Sequence, residues 1–240
     1  MANALKIISA LLSYPSAELI AAGEELRAAV AADAMTGPRE KAWLNALIDD
    51  LTGRDLFDAQ ERYVLLFDRT RTLSLHLFEH VHGESRDRGQ AMVDLAQMYE
   101  AQGFDIDARE LPDYLPLFLE YLSTQSAEEV HNLLTQKLHI LAALRERLQK
   151  RKSIYANALL VLEAIADARP DAEAVAGLLA EAEHDPNDLE ALDKIWEEEA
   201  VTFGGNAGEG ACGPDRLRTQ IRAARRPASR NDSAGDHPNG

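Results

Sequence analysis

Cysteine is nearly missing from this chain: Cys212 stands alone among 240 residues. No internal disulfide can form, which excludes a secreted, disulfide-stapled scaffold. Redox catalysis is disfavoured too, because Cys212-Gly213-Pro214 runs into Asp215 where the second cysteine of a CxxC motif would stand. Long apolar runs are also missing. No stretch reaches the ~18 residues that a membrane span requires. The opening MANALKIISALLSYP is interrupted by Lys6 and Ser9, and it lacks the charged start and small-residue cleavage site of a signal peptide. A soluble, cytoplasmic protein is expected.

Positive charge is scarce. Lysine and arginine number 25 against 41 acidic residues, a formal net charge of -16. That balance argues against nucleic acid or an anionic membrane as the main partner, since both need a positive field, and it suits a basic partner. The charge is uneven. Residues 204–240 hold six arginines and four acidic residues, a net of +2, so residues 1–203 carry -18. The tail is rich in Gly, Asn, Ser, Pro and Arg and lacks the apolar residues that would offset the entropy of ordering, so disorder is expected there. Its GGNAGEG run at 204–210 has no preceding strand and no following Gly-Lys-Ser/Thr, and is no phosphate cradle.

Strand patterns are few as well. What fills the chain is helical spacing. Leu5, Ile8, Leu11 and Leu12 share one face of a first helix that stops before Pro15, and Ser16 can cap the next, which carries Leu19, Ile20, Leu26 and Val30. Pro38 suits the first turn of a helix holding Trp43, Leu44, Leu47, Ile48 and Leu51, ended by Gly53. Residues 55–67 and 72–82 read as a central helical pair, followed by a helix over 87–102 closed by Gly103. Residues 104–111 read as a loop, and Pro112 is expected to open a helix bearing Leu115, Phe118, Leu119 and Leu122. Ser126-Ala127-Glu128-Glu129 is a capping box for a helix reaching about Lys150. Helices over 153–168, 171–184 and about 187–201 complete the count. The alternation Leu73, Leu75, Leu77 is ambiguous, but the apolar set continues at Phe78 and Val81 and favours helix. The expected fold is all-α, a single domain of roughly ten helices over 1–203 with a flexible tail over 204–240.

The chain is organised around residues 60–95. Tyr63 to Phe67 are strongly apolar, Leu73 to Val81 are apolar on nearly every side, and both run into a polar knot at residues 80–89, HVHGESRDRG. Burying such a segment is costly unless its charges pair with each other or with a partner. Arg69, Arg71, Arg86 and Arg88 beside Asp68, Glu84 and Asp87 either form an internal salt-bridge network or leave unpaired carboxylate acceptors for the basic end of a bound peptide. His76 and His80, four apart, invite a zinc reading, yet no HExxH order and no further ligand cluster accompanies them. Helix-end histidines bonding carbonyls are the better reading. Acid–base chemistry from the same residues lacks a nucleophile, a cofactor fingerprint and a phosphate loop. Trp196-Glu197-Glu198-Glu199 reads as a core tryptophan with a solvated acidic face that adds to the negative field.

These residues resemble the nitrate reductase molybdenum-cofactor assembly chaperones of the NarJ type. The resemblance covers residues 11–203 and rests on LFDRTRTLSLHLFEHVHGESRDRGQAMVDL at 66–95, ELPDYLPLFLEYL at 110–122 and IWEEEAVTF at 195–203. The second string is similar to the E-x-P-x-D-H loop of the wider molybdoenzyme chaperone family: Glu110, Pro112 and Asp113 match, and Tyr114 replaces the histidine. The resemblance implies an all-helical cytoplasmic chaperone that is not an enzyme, needs no cofactor or metal of its own, and stays out of the finished reductase. It would bind the N-terminal segment of the nitrate reductase catalytic subunit, keep the apoenzyme competent for insertion of the bis guanine-dinucleotide molybdenum cofactor, and delay membrane docking until loading.

A basic, partly apolar peptide would be recognised by helix-in-groove burial with acidic steering. The groove is expected between the central pair and the Pro112 helix. Tyr63, Phe67, Leu75 and Phe78 would supply apolar contacts, and Glu79, Glu84, Asp87, Glu110 and Asp113 would meet basic side chains. Arg71, His80, His82, Arg86, Pro112 and Tyr114 complete the candidate set. Lysine at 110 and 113 should then weaken peptide binding without unfolding the chain. The rival readings are a chaperone for a dimethyl sulfoxide- or trimethylamine oxide-type reductase reading a twin-arginine signal, a metal-dependent hydrolase using His80, His82 and Glu84, and a structural adaptor.

Overall fold

A computed structural model describes residues 3–82, 86–106 and 110–181, all within the first of two units, Met1–Asp193. The second unit, Lys194–Gly240, the expected boundary at 203/204, the Trp196 helix and Cys212 lie outside the described residues. Among the described residues there are eleven α-helices and no strand, which is the all-α class expected.

The longest helix, α9 (Ala127–Lys150), shows why. Ser126 Oγ accepts the amide of Glu129 at 3.2 Å, Glu128 and Glu129 occupy the first turn and Arg147 and Lys150 the last, so cap and charges both suit the helix dipole. Val130, Leu134, Leu138, Leu141, Leu144 and Leu148 form its buried stripe at three- and four-residue spacing. The almost wholly apolar α10 (Ala156–Ala166) packs along it, with α11 (Ala172–Leu179) also against α9 and α4 (Pro38–Thr52) against α10. Helix α1 (Asn3–Leu12) packs on α8 (Leu115–Leu122), and Ser9 Oγ donates to the Pro116 carbonyl at 2.7 Å.

The expected helix after Ser16 is two pieces, α2 (Ala17–Ala21) and α3 (Gly23–Ala32), broken at Ala22. Ser16 Oγ does accept the Leu19 amide. At the break a Cβ on Gly23 would lie 3.0 Å from Thr52 Cγ2, so glycine lets α3 approach α4 closely. Asp33, only 3% exposed, receives the Ala4 amide on one oxygen and three donors from Met35 and Thr36 on the other. This ties the start of α1 to the turn before α4.

The central pair departs furthest from expectation. Helix α5 (Leu56–Tyr63) runs into a π-helical turn, Val64–Asp68, in which Arg69 N–H bonds the Val64 carbonyl at 3.2 Å. A 3₁₀ turn, Arg71–Leu73, follows, then a bend at Leu75, a single β-bridge residue at His76 and a turn at residues 77–78 before the one-turn α6 (Glu79–His82). Residues 72–82 are therefore not a continuous helix. His76 makes an antiparallel bridge with Tyr114, the Leu77 amide bonds the Asp113 carbonyl at 3.0 Å, and the Leu115 amide bonds the Leu75 carbonyl at 2.8 Å. Leu73, Leu75 and Leu77 are all at most 3% exposed, and Thr72 and Ser74 between them are buried too; Val81, which favoured helix, is 51% exposed. The same bridge displaces the start of α8 from Pro112 to Leu115, because residues 113–115 are committed to pairing with the strap. Helix α7 (Arg86–Ala101) ends as expected at Gly103, whose φ of 69° suits the glycine of a Schellman-type cap, with Phe104 N–H reaching back to the Tyr99 carbonyl.

Candidate functional site

Residues 70–78 form a strap through the core, and its backbone groups must find partners there. Thr72 gives its carbonyl to Arg147 at 2.7 Å, and Ser74 gives its carbonyl to His80 Nε2 at 2.8 Å. Leu75 and Leu77 pair with residues 113–115, and the Phe78 amide donates to Asp113 Oδ2 at 3.0 Å. The other Asp113 oxygen lies 3.2 Å from His76 Nδ1. A carboxylate only accepts, so Nδ1 carries the proton. Asp113, 0% exposed, thus pins the strap by side chain and backbone together.

The aromatic residues extend this junction. Tyr114 stacks tilted on His76 with centroids 5.3 Å apart, and its hydroxyl meets that of Tyr63 at 2.9 Å. Tyr63 donates its single proton to the Leu12 carbonyl at 3.0 Å, which leaves Tyr114 as the donor between the two phenols.

These positions decide what the sequence-derived candidates can do. Tyr63, Phe67, Leu75 and Phe78, expected to line a groove, are buried in the core: Phe67 packs between Tyr63 and Tyr155, and Phe78 lies under Lys137 and against His82. They support the site from inside because each is held by backbone or aromatic partners. His80 is buried and bonded to Ser74, whereas His76 lies in the non-helical strap, so the two do not share a helical face. Among the described residues no three His, Cys, Asp or Glu side chains converge as for a metal. Glu79, expected to meet a basic side chain of the partner, pairs with Arg88 at 3.2 Å. Arg71, Asp87 and Glu110 are exposed, His82 and Pro112 half-buried, and Pro112 accepts the Tyr99 hydroxyl at 2.9 Å. Glu84 and the Arg86 side chain lie outside the described residues. Lysine at 113 would bury an ammonium where two donors now point, so the expectation that it leaves the fold intact is corrected; Glu110 alone suits charge reversal.

The two histidines respond to pH in opposite ways. The Asp113 hydrogen bond raises the pKa of His76 above its ordinary 6.5, against desolvation. Burial lowers that of His80, helped by the charge of Arg147. The contribution of His76 is complete below its unfolded value and fades as pH rises through its native one; that of His80 is complete above its unfolded value and is lost as pH falls through its native one. Urea midpoints between about pH 5 and 8 should therefore show His76→Gln flattening only the alkaline side and His80→Gln only the acid side. Wild-type profiles in both variants would overturn this assignment.

A second feature escaped the sequence reading. Tyr14, Phe57, Asp58, Gln60, Glu61, Val64, Leu65 and Arg69 line an open groove of about 450 Å3 beside α5. Phe57 is 76% and Tyr14 50% exposed. Asp55 caps α5 by accepting the Phe57 amide at 2.9 Å, which fixes Phe57 on the first turn. Gln60 Nε2 donates to the Pro15 carbonyl at 2.8 Å, and Tyr14 packs edge-on to Tyr63 at 5.6 Å, so the 13–15 loop is clamped as the opposite wall. The signal was available: Ala59, Tyr63, Leu66 and Phe67 already make the buried face, leaving Phe57, Val64 and Leu65 as a second apolar face out of phase with it. Asp68 and Glu110 both bear on Tyr114 electrostatically, so the neighbouring corner is acidic.

Known proteins resemble this chain closely. The family described as nitrate reductase delta subunit matches residues 32–160. The nitrate reductase molybdenum cofactor assembly chaperone NarJ of Escherichia coli K12 is 44% identical over 218 residues, 91% of each chain. The probable assembly chaperone NarW of the same strain is 41% identical over 199 residues, 83% of each. The probable NarJ of Bacillus subtilis is 33% identical over 155 residues, 65% of this chain and 83% of that one. With more than half of its length matched and these identities across it, the chain belongs to the nitrate reductase delta subunit family, among its NarJ-type assembly chaperones.

Proposed function

We propose that this protein is a chaperone for a nitrate reductase: it binds the N-terminal segment of the apo catalytic subunit in the cytoplasm, holds it competent for molybdenum cofactor insertion, and delays membrane docking until the cofactor is in place. It is not an enzyme and leaves before the reductase is complete. The observation that carries this reading is how the strap uses its polar groups. Asp113, His76 and His80, with the Glu79–Arg88 pair, are each engaged in bonds that hold the strap or its helix. They are occupied as structural pins, while Asp87 and Glu110 stay exposed on a body whose residues 1–203 carry -18. That arrangement suits recognition of a basic segment rather than turnover. The relatives' names supply the client.

Calorimetric titration with a peptide from the N-terminus of the catalytic subunit, at two salt concentrations, tests it. Saturable binding that weakens with salt is expected. A folded protein that shows no binding overturns the reading.

A further inference from the structure

We infer that Lys137 is a site of N-acylation: an activated acyl group, carried as an acyl phosphate or a thioester, transfers to its amine, and the product loosens the strap where it ends at Phe78. The inference goes beyond the chaperone reading and stands without it.

The first observation is the position of Lys137 on α9. Val130, Leu134, Leu141, Leu144 and Leu148 belong to a stripe with alternating four- and three-residue spacing, and each is at most 1% exposed. Residue 137, three after Leu134 and four before Leu141, completes that alternation, where an apolar side chain is called for. The chain places a lysine there. Its side chain is half-buried, so the stem follows the apolar face while the tip stays within reach of solvent.

The second observation is what the ammonium meets. It lies 5.2 Å from the centroid of the Phe78 ring. Among the described residues no carboxylate pairs with it and no acceptor receives its protons. A lysine supported only by an aromatic face holds its charge weakly, and burial lowers its pKa from the ordinary 10.5. The free amine is the nucleophilic form, and desolvation favours it.

The third is the place of Phe78 in the strap. Its amide donates to Asp113, and its carbonyl accepts the amides of Val81 at 3.3 Å and His82 at 2.9 Å, so it starts α6. Its ring, 6% exposed, meets Lys137 and the edge of His82. In the transfer, the Lys137 lone pair attacks the acyl carbonyl carbon and an N–C bond forms. The bond from that carbon to the phosphate oxygen or thioester sulfur breaks, its electron pair leaves with the oxygen or sulfur, and the amine proton passes to water. The product is a neutral, larger amide that no longer sets a cation on the ring, and Phe78 loses its hold on α9.

The folded full chain, incubated with acetyl phosphate and separately with acetyl-coenzyme A, gives the test, each lysine being followed by peptide mass spectrometry. With one donor or both, Lys137 should be acetylated about threefold or more faster than the exposed Lys6, Lys150 and Lys152, and urea should abolish the preference. Hydrogen exchange reads the consequence. The Val81 and His82 amides should exchange about threefold or more faster in the acetylated chain and in Lys137→Gln. Lys137→Arg keeps the cation, cannot be acetylated in this way, and should exchange like wild type. Acetylation of Lys137 no faster than that of the exposed lysines would show that burial shields it, and overturns the site. A preference that survives urea belongs to the local sequence and not the fold, and also overturns it. Wild-type exchange in the acetylated chain overturns the loosening of the strap.

Discussion

Asp113→Ala should destabilise the protein by about 3–5 kcal/mol, the cost of breaking a buried charged hydrogen-bond pair. The carboxylate is 0% exposed and serves the Phe78 amide and His76 at once. Removing it leaves a buried N–H without an acceptor and an imidazole without its partner, and opens a void beside the strap. Asp113→Asn is the informative companion. Its amide oxygen can still accept from Phe78, and its NH₂ can donate to His76 in the other tautomer, so the expected loss is only about 1–2 kcal/mol. The alkaline fade in stability attributed to His76 should vanish in both variants, because the hydrogen bond that raises its pKa is gone. Urea denaturation followed by far-UV circular dichroism at several pH values reads all of this. Equal losses for alanine and asparagine would mean that shape rather than hydrogen bonding holds the strap.

Arg147→Met should cost about 2–4 kcal/mol, chiefly through unsatisfied carbonyls. Arg147 is 0% exposed, an extreme position for a cation. Its guanidinium donates to the carbonyls of Thr72, in the strap, and Leu178, at the end of α11. Glu181, 3.6 Å away, is 56% exposed and gives little compensation. The bidentate reach across two elements explains why methionine of similar length is insufficient: it fills the space and supplies no donor. Arg147→Lys should recover part of the loss, since one ammonium can meet one of the two carbonyls. Glu181→Gln should change stability by less than about 0.5 kcal/mol. Hydrogen exchange gives the local test: protection should fall first in α11 and residues 72–78 and last in α10. Uniform loss of protection would mean that Arg147 holds the whole core and not these two elements. Asp113 and Arg147 grip the strap from different sides, so a double-mutant cycle should show coupling of roughly 0.5 kcal/mol or more.

The functional consequence follows from which residues remain outside these pins. Charge and hydrophobicity that the sequence placed in one corner separate in three dimensions into a buried clamp and an exposed groove. Tyr63 shows how: its ring packs in the core against Phe67 and Tyr155, while its hydroxyl bonds the Leu12 carbonyl at the end of α1 and meets that of Tyr114.

Much of the helical frame was legible from local chemistry. Ser16 and Ser126 cap helices, Pro38 opens one, Gly53 and Gly103 close others, and the apolar stripe of α9 faces the core, all as read from spacing. Each of these depends on residues within a turn or two of one another, where a sequence holds the whole interaction. Composition likewise fixed the acidic field and excluded disulfides. The strap was not legible, because the partners that satisfy it lie 35 residues away at Asp113 and 75 away at Arg147. An apolar run with alternating leucines is equally content as helix or extended chain until something buried offers it hydrogen bonds. The groove was hidden for the same reason. Phe57 and Phe67 look alike in sequence; only packing against Tyr155 buries the second and leaves the first in water.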